Sequence, residues 1–293
     1  MCLGITPSPT PTPDPEAQYF LSEDGEEFEL DFDNGHWWYK NRVLAIDIER
    51  VETTYPEHGP LVYYVADIRM REYSSYRSGV RTDYLQPWQY VRVEKAVFAI
   101  TGDNLDNAEK QMKGALIRKG RYYYNSDVED SLLIDEENLS LTLLHRHTSS
   151  TRWLMDHGVR DSYGFGPTLV DNGEINPNIY KHRVSKANPR CGIGMVEPGH
   201  WIAIATDGRQ KDYSYSITLE YFAEMFQKLG CTVAYNMDGG ASVAMCIMGE
   251  TINKHIGPNT YDTQRPWIDA IMFGYSEQIP SPNEPTIHDG YQH

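Results

Sequence analysis

Apolar and polar residues alternate with a period of two along much of the chain between residues 42 and 275, as expected for half-buried β-strands. Many of these runs come in pairs around a turn signal such as Lys119-Gly120 or Asn172-Gly173, which favours hairpins. Helical spacing is rarer: a short helix is predicted over 151–157, and a longer one after Thr218, its N-cap, ending before Gly230. The pattern predicts an α+β fold: one domain with a mixed, mostly antiparallel sheet, hairpins and few helices.

Individual strands are predicted over 43–48, 61–69, 96–100, 115–117, 122–124, 132–134, 139–143, 168–170, 201–205, 232–235, 245–248 and 268–273, with one more after Gly173. The flanking segments differ in composition. Residues 1–16 form a stiff Pro/Thr linker, 17–41 an acidic and aromatic N-terminal extension, 42–275 the folded domain, and 276–293 a loose, polar C-terminal tail.

A Pro/Thr linker is typical of a domain held away from a cell surface. We therefore expect an extracellular or cell-surface protein, of bacterial type, whose export segment is not visible in this chain. The alternative is the flexible tail of a cytosolic protein. The chain has no run of 18 apolar residues, so we expect no membrane insertion. Three of the four cysteines, Cys191, Cys231 and Cys246, lie in apolar stretches, and we interpret them as buried small hydrophobic residues.

The formal net charge is −16 over 293 residues, which excludes nucleic acid as a partner because both surfaces would repel. An anionic substrate would need a local basic pocket against this field. Arginines in glycine-rich loops are therefore the positions to examine.

Polar loops with glycines or arginines follow or precede several predicted strands: Thr101-Gly102-Asp103, Asn188-Pro189-Arg190, Thr206-Asp207-Gly208-Arg209 and Asn236-Met237-Asp238-Gly239-Gly240. Glycines let backbone amides form a nest for anions, and arginine forks match phosphate oxygens. Carboxylates can act as base, nucleophile or metal ligand. Each loop alone is as well explained by an ordinary turn, but together they fit a phosphate-containing substrate.

These segments resemble the phosphodiester glycosidase family, in which they typically read Asn-Pro-Arg-Thr-x-Ile-Gly, Asp-Gly-Arg and Asn-Leu-Asp-Gly-Gly-Gly-Ser-Ser. The corresponding stretches here are NPRCGIG (188–194), IAIATDGR (202–209) and AYNMDGGASVAM (234–245). YYVADIRM (63–70) and FGPTLVDNGE (165–174) extend the resemblance, so that it covers about 42 to 275. The positions that match family motifs are Asp67, Arg190, Asp207, Arg209, Asn236, Asp238, Gly239, Gly240 and Ser242, with Arg265 and Asp269 matching more loosely.

The resemblance implies hydrolysis of a sugar, such as N-acetylglucosamine, that is linked through its anomeric carbon to a phosphodiester or phosphoglycan. It implies that Arg190 and Arg209 bind the phosphate with the Gly239 and Gly240 amides. Asp238 is predicted as base or nucleophile, with Asp207 or Asp103 as its partner. The remaining predicted substrate-binding positions are Asn236, Ser242, Thr101 and Gly102. No cofactor is predicted to be required, although the acids are compatible with Mg²⁺ or Ca²⁺.

The chain departs from the family pattern at four places. Thr101 replaces an asparagine, Ala241 a glycine and Val243 a serine, and Tyr213-Ser214-Tyr215 stands where the family has a glycine after Asp-Gly-Arg. Two alternatives follow. One is a catalytically impaired glycan- or phosphoglycan-binding surface domain, and the other is a metal-dependent phosphodiesterase that cuts the P–O bond. A purely structural surface domain is the third alternative. Neither the sugar nor the oligomeric state follows from the sequence.

Overall fold

The computed structural model describes residues 16–103, 105, 114–124, 126–254 and 264–287. In these residues the first strands are β1 (Glu27–Asp31), β2 (His36–Lys40), β3 (Leu44–Tyr55), β4 (Gly59–Met70), β5 (Tyr76–Leu85), β6 (Phe98–Thr101), β7 (Leu116–Arg118), β8 (Arg121–Tyr124), β9 (Ser131–Asp135) and β10 (Ser140–Leu144). The later strands are β11 (Ser162–Tyr163), β12 (Thr168–Asp171), β13 (Glu174–Ile175), β14 (Cys191–Glu197), β15 (His200–Thr206), β16 (Val233–Asn236), β17 (Met245–Ile247), β18 (Glu250–Thr251) and β19 (Trp267–Phe273). The helices are α1 (Pro87–Glu94), α2 (Thr151–Asp156) and α3 (Leu219–Lys228).

The strands form three sheets, and their pairings are antiparallel. The large sheet has the order β1-β2-β3-β4-β15-β14-β16-β12-β13. Two five-stranded sheets have the orders β10-β9-β11-β7-β8 and β18-β17-β6-β19-β5. The predicted α+β class, with mostly antiparallel strands and few helices, is confirmed.

The main hydrophobic core lies between the large sheet and the two small sheets. Alternate residues of β15 show how the large sheet separates two cores, since Trp201 and Ala203 face the main core, whereas Ile202 and Ile204 face α3. The period of two in the sequence therefore marks a sheet that is covered on both faces. α1 packs similarly on the sheet that contains β6 and β19.

The predicted hairpins are present because their turn residues adopt the conformations that the turns require. Asn172 and Gly173, with φ of 50° and 80°, join β12 to β13, and Lys119 and Gly120 join β7 to β8. The Thr218 hydroxyl accepts a hydrogen bond from the Tyr221 N–H and caps α3 as predicted.

Several elements were not predicted from the sequence: β1, β2, β5, β11, β14, β18 and α1. β14 carries Gly192 and Gly194, which weaken the apparent strand signal, yet both are needed because a Cβ there would lie 2.9 Å from the Phe222 and Phe226 rings of α3. α1 is short, and Tyr90 and Val91 are the large apolar side chains that it contributes to the core. Two such residues are too few to give a helical period in the sequence.

The terminal segments differ in how far the structure describes them. The predicted linker lies outside the described residues apart from Glu16, whereas the predicted extension contributes β1 and β2 to the edge of the large sheet. The segment after residue 275 is not loose in its described part, because Ile279 is buried in the main core and Arg92 donates to the carbonyls of Ser281 and Glu284.

The thiols of Cys191, Cys231 and Cys246 are free and buried, as predicted. Burial raises the pKa of each to about 12, so they remain protonated at neutral pH. None of the described helices has the length and apolar character needed to cross a bilayer.

Candidate active site

The predicted site loops meet because of strand direction. β14 runs antiparallel to both β15 and β16, with Gly192 opposite Asn236 and Cys191 opposite Ala205. The start of β14 therefore lies at the same edge of the sheet as the ends of its two neighbours. Arg190 precedes β14, Asp207 follows β15 and Asp238 follows β16, so this topology brings the three loops together.

A cavity of about 390 Å³ opens at this edge. Among the described residues, those that line it are Phe165, Arg183, Val184, Asn188, Arg190, Arg209, Asp238, Gly239, Gly240, Ala241 and Arg265. Four of these side chains are arginines and one is a carboxylate. The local positive charge is opposite in sign to the net charge of −16, so the cavity meets the condition expected for an anionic ligand.

Arg190 is the buried arginine of the cavity, at 2% exposure. Its Nε donates to the Ile217 carbonyl, and its Nη2 donates to the carbonyls of Val184 and Lys186. Burial lowers the pKa of Arg190 to about 10, which still leaves it charged at neutral pH. Within the described structure Nη1 makes no hydrogen bond, so a buried and positioned cation retains donors for a ligand.

The other arginines have more exposed side chains. Arg209 donates from Nε and Nη2 to the Asn188 Oδ1, at 3.1 and 2.7 Å. Arg183 donates from Nη2 to the Phe165 carbonyl at 2.8 Å, and its guanidinium lies 5.0 Å from the Phe165 ring centroid. The partners of Arg209 and Arg183 in these hydrogen bonds are neutral oxygens, so these contacts do not neutralise the two guanidinium charges.

Asp238 is the carboxylate of the cavity, and its side chain is 9% exposed. Oδ1 accepts a hydrogen bond from the Gly239 N–H at 3.0 Å. Arg265 Nη1 lies 3.5 Å from Oδ2 and donates to the Ser242 Oγ at 2.9 Å. The arrangement fixes the carboxylate while leaving it at the cavity wall.

Gly239 and Gly240 line the cavity, but their amides have partners inside the protein. The Gly240 N–H donates to the Pro189 carbonyl at 3.0 Å, and the Gly239 N–H donates to Asp238. The predicted role of these amides as phosphate donors is therefore not supported, because both N–H groups are engaged. Gly240 is required for a different reason: its φ is +63°, and a Cβ would lie 2.9 Å from the Arg209 Nη2.

Asp103 is not among the cavity residues. Its carboxylate accepts hydrogen bonds from Arg118 Nη2 at 2.8 Å and from the Gly164 N–H at 3.1 Å. Arg118 also donates to Asp269 Oδ2 at 3.1 Å, and its guanidinium lies 3.7 Å from the Tyr163 ring centroid. Both ion pairs are buried, so the loop after β6 carries a structural charge cluster.

Asp207 also turns away from the cavity, into a buried polar cluster. Its carboxylate accepts from the Tyr213 hydroxyl at 3.0 Å, the Lys254 N–H at 3.2 Å and the Asn253 amide at 3.4 Å. Burial, only partly offset by these hydrogen bonds, raises the pKa of Asp207 to about 7. The backbone of Asp207 therefore lies at the same edge of the sheet as the cavity, whereas its side chain points into the buried polar cluster.

Four further residues that were predicted to bind substrate do not line the cavity in the described structure, and they support its loops through hydrogen bonds. They are Thr101, Gly102, Asn236 and Ser242. The Thr101 hydroxyl donates to the Ser242 carbonyl at 2.8 Å and accepts from the Ala244 N–H at 2.9 Å. The Gly102 carbonyl accepts from the Asp238 N–H. The buried Asn236 amide donates to the Gly166 carbonyl at 2.8 Å.

Asp67 lies elsewhere, on β4, where it accepts from His200 Nε2 at 2.9 Å and pairs with Arg69. Arg183 was not predicted from the sequence, and Arg265 matches the family pattern only loosely. Both lie in irregular segments, Arg183 after a short 3-10 turn and Arg265 before β19, where no periodic signal marks them. In the described part of the chain, no three His, Cys, Asp or Glu side chains come together as a metal-binding group.

The cavity residues fall within a stretch of the chain that matches a known protein family. A model of the phosphodiester glycosidase family matches residues 94–273, which contain all but Asp67 of the positions singled out above. The SPbeta prophage-derived uncharacterized protein YomE of Bacillus subtilis (strain 168) is 29% identical over 129 residues, which are 42% of this chain and 19% of YomE. The match thus spans about a fifth of the length of that relative.

Two solved structures share the fold. The catalytic domain of zebrafish N-acetylglucosamine-1-phosphodiester alpha-N-acetylglucosaminidase, auto-inhibited by its pro-peptide, superimposes with a TM-score of 0.64 at 16% identity, covering 80% of this chain and 84% of that chain. A putative exported protein from Burkholderia pseudomallei K96243 gives a TM-score of 0.50 at 12% identity, covering 89% and 98%. At these identities the likeness concerns the fold alone.

Proposed function

Because the chain belongs to the phosphodiester glycosidase family, we propose that it hydrolyses a sugar-1-phosphodiester at the glycosidic bond. The products would be a free sugar of the N-acetylglucosamine type and a phosphomonoester. The observation that carries this proposal is the cavity itself, where four arginines surround one carboxylate in a protein whose net charge is −16.

The arginines suit the leaving group. Breaking the bond between the anomeric carbon and oxygen leaves both electrons on the phosphate, which becomes a phosphomonoester. Guanidinium groups stabilise the charge that develops on its oxygens, and a fixed cation such as Arg190 does so without reorganising. Since the second pKa of a phosphomonoester is about 6, this leaving group departs without needing a protonated partner.

One carboxylate is then sufficient for the remaining chemistry. Asp238 would act as base on the attacking water or as nucleophile at the anomeric carbon, opposite the departing phosphate. Asp103 and Asp207 are better suited to structural roles, since their carboxylates are committed to Arg118 and to the Tyr213–Asn253 cluster. We propose that these two hold the loops rather than act as partners of Asp238.

The departures from the family pattern are compatible with turnover. Ala241 does not require a left-handed backbone, because the positive φ in this loop belongs to Gly240. The Ala241 carbonyl accepts from the Arg265 N–H at 2.9 Å. Thr101 bonds the Ser242–Ala244 backbone outside the cavity, so replacing an amide there affects the scaffold first. These contacts favour an enzyme over an impaired binding domain.

Two further proposals stay open to test. An extracellular or cell-surface location follows only from the composition of the first residues. A requirement for Mg²⁺ or Ca²⁺ is not expected, since arginines already supply positive charge at the cavity.

Product analysis tests the proposal directly. The methyl phosphodiester of N-acetylglucosamine 1-phosphate is incubated with the protein, with and without EDTA, and followed by ³¹P and ¹H NMR. Free N-acetylglucosamine plus methyl phosphate, at a rate unaffected by EDTA, is the expected result. N-acetylglucosamine 1-phosphate plus methanol would indicate P–O cleavage, and its loss with EDTA would establish the metal-dependent alternative. Binding without either product would establish the binding domain.

A further inference from the structure

Arg209 reaches the cavity from a loop that folds back on itself. Residues 207–216, which we call the Arg209 loop, follow β15 directly. The Ser214 N–H donates to the Gln210 carbonyl at 2.7 Å, and the Gln210 N–H donates to the Ser214 carbonyl at 3.1 Å. Arg209 itself has a φ of 59°, and its N–H donates to the Ser216 Oγ at 3.1 Å. Because this left-handed backbone is unfavourable for a residue other than glycine, the position of Arg209 depends on the contacts that keep the loop closed.

The Asp207 carboxylate closes the Arg209 loop on its buried side. Asp207 is 2% exposed, and its Oδ2 accepts from the Tyr213 hydroxyl at 3.0 Å, which joins the first residue of the loop to its far limb. Both limbs are also anchored on β4, since the Asp207 N–H donates to the Val62 carbonyl and the Val62 N–H donates to the Ser214 Oγ. The Tyr213 contact differs from these backbone anchors because it depends on the charge of Asp207.

The same carboxylate contacts the segment that follows the Asp238 loop. The Asn253 amide donates to Asp207 Oδ1 at 3.4 Å, and the Asn253 Oδ1 accepts from the Met245 N–H at 2.8 Å. The Lys254 N–H donates to Asp207 Oδ2 at 3.2 Å. Asp207 therefore links the Arg209 loop to the backbone behind Asp238.

Few charged or titratable groups face Asp207. On β3 and β4, Arg50 and Tyr64 lie opposite each other, and the Tyr64 hydroxyl lies 3.4 Å from Asp207 Oδ2. Arg50 favours the ionised carboxylate only through its charge at a distance. The Nζ of Lys254 lies over the Tyr213 ring, 4.5 Å from its centroid. In the part of the chain that the structure describes, no lysine or arginine forms an ion pair with Asp207.

This setting favours a protonated Asp207. Burial outweighs the hydrogen bonds and raises the pKa of Asp207 to about 7. When the group is neutral, one oxygen can donate to the Tyr213 hydroxyl while the other accepts from backbone N–H groups. When it is ionised, the closed loop buries a charge that has no cation partner, whereas an open loop exposes the carboxylate to water. A proton on Asp207 therefore stabilises the closed loop relative to an open one.

We propose that Asp207 and Tyr213 are positioning residues for Arg209, and that a proton on Asp207 keeps the Arg209 loop closed over the cavity. The inference rests on the proposed role of Arg209 as a ligand of the phosphate. It adds a regulation to that site, since an anion is held more tightly in mildly acidic solution. The closed form has the raised pKa, so the proton's contribution is fully present below pH 3.8 and is lost as the pH rises through 7.

Two measurements on the whole protein test this without turnover. The first is hydrogen–deuterium exchange at the amides of Arg209, Gln210 and Ser214 between pH 5 and pH 8, corrected for the intrinsic pH dependence of exchange. The second is calorimetric titration with sulfate, an oxyanion whose charge is constant over this range.

Two variants separate the proton from the hydrogen bond. Asp207→Asn does not titrate, and Tyr213→Phe lacks the hydroxyl but retains the carboxylate. The matched controls are Asp83→Asn and Tyr122→Phe, since the Asp83 side chain is 50% exposed and Tyr122 is 56% exposed.

In the wild type, the opening constant of the three amides should rise more than about tenfold between pH 5 and pH 8. The Kd for sulfate should rise about threefold or more over the same range. In Asp207→Asn the opening constant should lose its pH dependence, and the change in Kd should be smaller by at least about twofold. Tyr213→Phe should show an open loop and weaker sulfate binding already at pH 5, with unchanged exchange in β14, which verifies the fold. Both controls should behave as the wild type does.

The same opening constant at pH 5 and pH 8, or an equal rise in the wild type and in Asp207→Asn, would overturn the role of the proton. A sulfate Kd that stays constant while the loop opens would overturn the positioning of Arg209, as would a wild type that binds no sulfate. The proposed function fails on a different result, the absence of free N-acetylglucosamine from the methyl phosphodiester, so the two failures are distinguishable.

Discussion

Asp238 and Asp207 follow the two strands that flank β14, yet their carboxylates lie in opposite settings. Asp238 reaches the wall of the cavity, where its carboxylate accepts from the Gly239 N–H and lies 3.5 Å from Arg265 Nη1. Asp207 is surrounded by Tyr64, Tyr213 and Asn253, which come from three other parts of the chain. Asp103 resembles Asp207, since Arg118 and Gly164 occupy its oxygens.

A motif locates a loop, but it does not determine which side chain of that loop faces the cavity. Each aspartate follows directly, or after one residue, the end of a strand. Strand pairing brings the loops of Asp207 and Asp238 together, whereas β6, which precedes Asp103, belongs to another sheet. Which carboxylate remains accessible depends on partners distant in sequence. A residue with its hydrogen-bonding capacity already used is better placed to hold a loop than to meet a substrate.

The largest expected effect comes from Asp238→Asn. Removing the charge while retaining the shape should lower kcat for the methyl phosphodiester by about 10³-fold, because base or nucleophile function is lost. The melting temperature should stay within about 2 °C, since an asparagine oxygen can still accept from the Gly239 N–H. The comparison with Asp207→Asn, which should retain turnover within about tenfold, is the control. Equal losses in both variants would remove the distinction between the two sites.

Asp103→Ala should act on stability instead. It leaves the buried Arg118 with Asp269 as its one remaining carboxylate partner among the described residues, and breaking a buried pair costs about 3–5 kcal/mol in free energy of unfolding. Urea denaturation measures this cost. Asp83→Ala removes a solvent-exposed ion pair with Arg81, and its effect on the free energy of unfolding should be much smaller than that of Asp103→Ala. A loss of turnover as large as that of Asp238→Asn, with unchanged stability, would instead place Asp103 in the chemistry.

Asp207→Asn should change how stability depends on pH. Burial raises the pKa of Asp207 from an ordinary 3.8 to about 7, so the native state binds a proton more tightly than the unfolded state. Its contribution to stability is therefore fully present below pH 3.8 and is lost as the pH rises through 7. The asparagine does not titrate.

The stability of the variant relative to the wild type should accordingly improve between pH 4 and pH 8, by about 4 kcal/mol. Urea denaturation at several pH values across this range measures the difference. Parallel curves for the two proteins would show that Asp207 does not titrate there, and would weaken the contrast with Asp238.

Much of the sheet architecture follows from local signals in the sequence. Turn pairs such as Asn172-Gly173 and the capping Thr218 specify their own geometry, so the hairpins and α3 were predicted close to their observed bounds. β14 was not predicted because it contains glycines. They are required there because the rings of Phe222 and Phe226, which are distant in sequence, leave no room for a Cβ. A propensity pattern does not contain such a packing requirement.

The candidate site divides in the same way. Arg190, Arg209 and Asp238 were found because the motifs mark strand ends, and strand ends meet. Arg183 was not found, since its place in the cavity depends on how an irregular segment packs against the β9–β10 hairpin. The sequence could therefore locate the arginine-lined cavity but not its extent.

A pair of glycine variants should show the mildest changes. Their comparison distinguishes the cost of a strained backbone from the displacement of Arg209. Gly240→Ala places a Cβ 2.9 Å from Arg209 Nη2 at a φ of +63°, whereas Gly120→Ala meets nothing within 4 Å at a φ of +72°. Both variants should lose about 1–2 kcal/mol in free energy of unfolding from the left-handed backbone alone. If Arg209 binds the phosphate, Gly240→Ala should also raise KM for the methyl phosphodiester about three- to tenfold, with kcat nearly unchanged, while Gly120→Ala leaves KM as it was. Equal KM values in the two variants would mean that Arg209 supports the loop, and the cavity would then depend on Arg183, Arg190 and Arg265 for its hold on the phosphate.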